Sequence, residues 1–306
     1  MIVDAHQHFW SLARGDYDWL TPELAPLYRD FLPIDLQPSL VQAGVHRSVL
    51  VQSAASEAET RFLIDIARGT PFVGGVVGWV DMGARDAAAR IERLKTDGAD
   101  DLKGIRPMIQ DIADDRWILS STLDAAFQAL IEHGLTFDAL VHPRHLPHLQ
   151  RRLDRHPDLR VVIDHCAKPD IASSRFEDWA AAMHSLARNS NALCKLSGLL
   201  TQLSPTQSAE LVRPYAQCVL DTFGARRVMW GSDWPVLTLS SDYATWFALT
   251  RTMLASLSDV DAAAVLGGNA TRFYSLAGDW CSPCRVAGAD AEVGEKCHND
   301  CRESPV

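Results

Sequence analysis

The chain has 306 residues and a mass of 33.7 kDa; it is 47% hydrophobic and 22% charged, with a net charge of −10 and a pI near 5.5. That is enough apolar content for one large domain or two small ones, and no apolar run reaches the roughly 18 residues needed to span a bilayer. The acidic balance disfavours a nucleic-acid partner, because binding a phosphate backbone needs a basic face.

In chain order, eight short apolar, β-branched runs are predicted as strands: residues 2–6, 47–52, 72–77, 102–106, 136–142, 160–165, 192–197 and 227–233. Their starts lie between 24 residues apart (Thr136 to Arg160) and 45 apart (Ile2 to Arg47), the span of a strand, a loop, a helix and a return. Between them, residues 84–96 and 123–133 repeat apolar side chains at three- and four-residue spacing, as an amphipathic helix requires. Short strands buried on both faces and alternating with helices imply a parallel sheet. Eight such units close naturally into a (β/α)₈ barrel of the TIM type, with a doubly wound open sheet as the rival. Nothing within residues 1–276 reads as a linker, so they form one domain. Residues 277–306 lose all periodicity and are expected to be a C-terminal appendage, poorly ordered.

The chain opens directly on Met1-Ile2-Val3-Asp4-Ala5-His6 with no basic segment or cleavage site, so the expected compartment is the cytoplasm. Seven cysteines, three of them scattered singly at Cys166, Cys194 and Cys218, suit a reducing compartment. The other four, Cys281, Cys284, Cys297 and Cys301, have zinc-like spacing, but the segment lacks the hydrophobic residues to pack a zinc knuckle and is assigned no role.

The polar residues that end the apolar runs carry the chemistry. His6 and His8 are two apart on the first strand and project to the same side, a pair suited to a divalent metal or to anchoring and protonating a carbonyl. The fifth run ends in His142, the sixth in Asp164-His165 and the eighth in Asp233. Such groups are costly to bury without partners, and a barrel gathers its strand ends at one mouth. His6, His8, His142, His165 and Asp233 are therefore expected to form one cluster. Arg106 ends the fourth run and suits a carbonyl oxygen or carboxylate. Lys103, Lys195, Trp10 and Trp234 are further candidates for contact with a substrate, the tryptophans by stacking on a sugar-like ring. Asp164 precedes His165 and is expected to point the opposite way, as a supporting partner.

His6-Gln7-His8-Phe9-Trp10, Leu102-Lys103-Gly104-Ile105-Arg106, Asp164-His165-Cys166-Ala167-Lys168-Pro169, Lys195-Leu196-Ser197-Gly198, Trp230-Gly231-Ser232-Asp233-Trp234-Pro235 and Asn269-Ala270-Thr271-Arg272-Phe273-Tyr274 together resemble the amidohydrolase superfamily, specifically the amidohydrolase-2 branch that includes sugar-lactone hydrolases. The likeness covers residues 1–276. It implies a (β/α)₈ fold and hydrolysis of an ester-like ring, with Asp233 as general base on water and His165 and Arg106 assisting at the carbonyl. It also implies either one divalent ion, such as zinc, on His6, His8, His165 and Asp233, or no required metal. A binuclear site does not fit, because Arg106 stands where a bridging lysine would end the fourth strand. The rival readings are a metal-dependent amidohydrolase or decarboxylase of a small carboxylic acid on the same scaffold, and a barrel that only binds a carbohydrate acid. The expected partner is a small molecule, with no membrane; neither the particular lactone nor the oligomeric state is legible.

Overall fold

Eight strands follow one another around a ring: β1 (Val3–Gln7), β2 (Arg47–Val51), β3 (Val73–Gly78), β4 (Leu102–Ile105), β5 (Thr136–Ala139), β6 (Val161–Ile163), β7 (Leu193–Leu196) and β8 (Val228–Trp230). They come from a computed structural model, which describes residues 1–276. Each strand pairs in parallel with its neighbours in sequence, and the order β1 to β8 rules out a doubly wound sheet. The ring closes where β8 meets β1: the Asp233 N–H donates to the His6 carbonyl and the His8 N–H to the Trp234 carbonyl, each at 2.8 Å.

The crossover helices are α1 (Pro33–Ala43), α2 (Glu57–Gly69), α3 (Ala87–Gly98), α4 (Asp124–Glu132), α5 (Leu146–Arg155), α6 (Phe176–Asn189), α7 (Arg213–Phe223) and α8 (Tyr243–Met253). None is long and apolar enough to cross a membrane. The helix expected over residues 84–96 begins later, at Ala87. The Ala84 N–H donates to the Asp81 carbonyl and the Ala87 N–H to the Ala84 carbonyl, which closes turns ahead of the helix.

Alternate residues on the strands face different cores. Val3, Ala5, Val49, Val51, Val77, Val162 and Met229 meet inside the barrel, together with Ala270, Phe273, Tyr274 and Leu276 from the closing segment. The opposite side chains pack against the helices in the larger core. Each fully buried aliphatic or aromatic side chain contributes about 1.5–3 kcal/mol. The chain then runs through α9 (Asp259–Ala263) to α10 (Asn269–Phe273), and α10 with the residues after it plugs the N-terminal end of the barrel. The opposite end, where the strands finish, is left for polar groups. The tail cysteines Cys281, Cys284, Cys297 and Cys301 lie outside the described residues.

Candidate active site

His6 and His8 leave β1 on the same side, as a period of two requires, and both are buried. His165 and Asp233 follow β6 and β8, each with left-handed backbone (φ 51° and 61°) that ends the strand and turns the side chain toward the barrel axis. A non-glycine residue in this region costs roughly 1–2 kcal/mol, a cost tolerated where function fixes the geometry. Two glycines admit the imidazoles: a Cβ on Gly231 would lie 2.8 Å from the His6 Cβ. One on Gly198, itself at φ 63°, would lie 2.6 Å from the His165 Nδ1.

The four residues converge on one carboxylate oxygen. Asp233 Oδ1 lies 3.3 Å from His8 Nε2, 3.8 Å from His6 Nε2 and 3.8 Å from His165 Nε2. The His6 and His165 rings meet edge to face at 4.4 Å between centroids. Burial works to raise the Asp233 carboxyl, but the charges of His165, His8 and Lys168 and the His8 hydrogen bond outweigh it, so its pKa lies below the ordinary value. Burial, reinforced by Lys195 beside His6, drives the His6 pKa well down; burial also lowers that of His165, whose neighbour Asp233 opposes the effect only in part. Near neutral pH the centre therefore holds an ionised carboxylate beside the uncharged imidazoles of His6 and His165.

This donor set fits a single divalent cation. Ligand atoms of His6, His165 and Asp233 all lie within 4.8 Å of one another. Bonds of about 2.0–2.1 Å at tetrahedral angles place neighbouring ligand atoms roughly 3.3–3.4 Å apart, so the 3.8 Å from Asp233 to His6 and to His165 would shorten by some tenths of an ångström around an ion. His8 adds a further reason. Its Nδ1 lies 2.8 Å from the Val51 carbonyl and so must donate; Nε2 then faces the Asp233 carboxylate at 3.3 Å, which calls for a proton or a cation between them.

Beneath the cluster lies a charged layer. Lys195 Nζ, fully buried, contacts Asp138 Oδ2 at 2.6 Å, Asp164 Oδ1 at 3.0 Å and His6 Nδ1 at 3.2 Å. The Tyr274 hydroxyl, from the plug, donates to the same Asp138 oxygen at 2.5 Å. Asp164 was expected to face away. It faces His6 (3.5 Å) and Arg106 (3.7 Å) because it continues the alternation that points Val162 into the barrel; His165, left-handed, is the residue that departs from it and turns in beside Asp164. Burial works to raise the Asp164 carboxyl, yet Lys195, His165 and Arg106 hold it below the ordinary value. Arg106 itself donates from Nη2 to the Gln52 carbonyl, and its Nη1 lies 3.4 Å from His6 Nε2. Gln52 returns a bond from its side-chain amide to the Arg106 carbonyl at 2.8 Å.

Above the cluster opens a cavity of about 740 Å³, a size common for small-molecule sites. His8, Arg106, His165 and Asp233 reach it, as does Lys168, whose Nζ donates to Gln110 Oε1 at 2.5 Å. Its walls include Trp19, Trp79 and Trp117, and its exposed edge carries Asp18, Asp81 and Asp111.

Five sequence-based expectations are corrected by position. Trp10 and Trp234 are buried against Phe31 (5.2 Å each), so the stacking surfaces in the cavity are other tryptophans. Trp10 instead buttresses Trp19, edge to face at 5.4 Å. Lys103 lies at the plugged end of the barrel, with Nζ donating to the Ser275 carbonyl at 3.1 Å. Lys195 is sealed under His6 and does not line the cavity. His142 lines an adjoining cavity of about 430 Å³, where burial and Arg144 lower its pKa to about 4. Gln52, directly after β2, and Lys168, beyond the turn that follows β6, were given no role from the sequence.

Fold and site together define a hydrolase barrel, and the chain belongs to the amidohydrolase family, whose model matches residues 3–276. It is 49% identical to the L-fucono-1,5-lactonase of Burkholderia ambifaria, over 90% of this chain and 95% of that one. It is 35% identical to the L-fucono-1,5-lactonase of Burkholderia multivorans, over 90% and 96%. The fold matches the crystal structure of an amidohydrolase from Burkholderia multivorans with bound zinc, at a TM-score of 0.84 and 34% identity, covering 90% of this chain and all of that one.

Proposed function

We propose that the protein opens the ring of a sugar-acid lactone by adding water to its carbonyl. The observation that carries the reading is the ionised Asp233 carboxylate, held 3.3–3.8 Å from three imidazoles at the end of a cavity sized for a small ring. Its likeness to two L-fucono-1,5-lactonases supports this class of substrate.

In this reading Asp233, an acceptor only, takes a proton from a water lodged against His8 and His165. The water oxygen attacks the ring carbonyl, and Arg106, which lines the cavity, is a cation beside the developing oxyanion. A donor so placed contributes about 3 kcal/mol. Collapse restores the carbonyl and breaks the ring C–O bond, and the departing alkoxide takes the proton back from Asp233. His6, His165 and Asp233, with His8 beside them, are the residues that would hold a divalent ion, zinc being the candidate from the zinc-bound relative. Such an ion, when bound, acidifies a bound water to a pKa of about 7. Lys195, Asp138 and Asp164 fix the orientation of His6. The unpaired thiols Cys166, Cys194 and Cys218 support a reducing compartment.

Ring opening releases a proton near neutral pH, so a pH-stat screen of sugar-acid lactones, with and without a chelator, tests the proposal. Base uptake with at least one aldonolactone is the expected result; no uptake with any five- or six-membered sugar lactone, with or without added zinc, would overturn it.

A further inference from the structure

We propose that Lys168 is a further catalytic residue, donating to the oxyanion that forms on the lactone carbonyl; this rests on the lactonase reading above. Arg106, the cation expected to do so, is largely committed elsewhere: Nη2 serves the Gln52 carbonyl, and Nη1 lies 3.4 Å from His6 Nε2 and 3.7 Å from Asp164 Oδ2. Lys168 lines the same cavity as Asp233 and His165. Of its three N–H donors, one goes to Gln110 Oε1, and among the described residues Nζ makes no other bond. The remaining two are available to whatever enters the cavity. Burial pulls the Lys168 pKa down from its ordinary value against the attraction of Asp233. A partly desolvated ammonium donates more strongly than a hydrated one.

The backbone that carries Lys168 points the same way. His165, Cys166, Ala167 and Lys168 are left-handed in succession (φ 51°, 52°, 58° and 49°), a run of non-glycine residues that packing alone does not favour. Three bonds hold it. The Lys168 N–H donates to the His165 carbonyl at 2.8 Å, Trp179 Nε1 to the Cys166 carbonyl at 2.8 Å, and Cys166 Sγ to the Lys195 carbonyl at 3.3 Å. The strain places His165 and Lys168 on one cavity wall, three residues apart.

The step balances without a co-reactant. Water oxygen bonds to the carbonyl carbon as Asp233 takes its proton. The C=O electron pair moves to oxygen, where Lys168 and Arg106 donate to it. Its return expels the ring oxygen, which recovers the proton.

Initial-rate kinetics on a lactone that the wild-type enzyme opens test the role. Lys168→Met should lower kcat by about 100-fold while KM stays within about threefold, and Lys168→Arg should recover at least about tenfold of that loss. Lys168→Gln, which stays polar but is uncharged and one atom shorter, should also lose most of the kcat and is read in place of Lys168→Met if the methionine variant does not melt cooperatively. A kcat within about threefold of wild type, a change confined to KM, or a loss that arginine does not relieve would overturn the proposal. A wild-type enzyme that opens no lactone fails the functional reading instead.

Discussion

The two ends of the barrel handle the same residue type in opposite ways. Lys103 and Lys195 both stand on strands of the barrel. At the plugged end Lys103 is half-buried and spends its ammonium on one backbone carbonyl, Ser275. Toward the mouth Lys195 has no exposed surface and sits between two carboxylates and an imidazole. The plugged end is stabilised by apolar side chains meeting Phe273, Tyr274 and Leu276; the mouth holds charged groups in place by pairing them, and spends backbone strain at His165 and Asp233. Position along a strand, rather than residue type, separates stability from chemistry in this fold.

Variants that exchange the roles of the two ends sharpen that contrast. Lys195→Met should have the largest effect: it leaves Asp138 and Asp164 buried without their cation, which costs on the order of 3–5 kcal/mol. Urea unfolding should show the loss, and turnover should fall with it because His6 loses its Nδ1 partner. Next comes Glu59 on α2, fully buried beside the cavity wall, where it accepts from the Ser53 N–H, the Ser53 hydroxyl and the Ala54 N–H. Burial raises its pKa from 4.5 to about 7 despite these bonds. The folded state thus holds this proton more tightly than the unfolded chain. Wild-type stability should decline relative to Glu59→Gln as pH rises from about 4.5 to 7, by on the order of 3 kcal/mol in total. Parallel curves for the two proteins across that interval would refute the assignment. Smallest is Lys103→Met: within about 0.5 kcal/mol in stability, with unchanged kcat. A loss of turnover there would erase the distinction between the ends.

Much of this was legible from the chain. The strands could be read because their runs are buried on both faces. The His6 and His8 pair could be read because alternation along β1 is regular up to its end. What escaped depends on contacts distant in sequence or on unmarked backbone. Nothing local announces that His165 is left-handed, so there was no signature that it turns inward beside Asp164 rather than opposite to it. The facing of Lys103 follows a shift in pairing between Val76 and Val77 on β3, set by the neighbouring strand. Trp10 and Trp234 look like rim aromatics until Phe31, from the long β1–α1 connection, is found packed against both. Lys168 lay within a quoted motif but gained meaning only once a cavity was seen beside it.

The central claim is that Asp233 activates the attacking water. Asp233→Asn keeps the shape and removes the base, and its turnover of a sugar-acid lactone can be followed in the pH-stat beside its melting curve. A fall in kcat of about a thousandfold or more, with cooperative melting retained, is the predicted result; ring opening within about tenfold of wild type would contradict it.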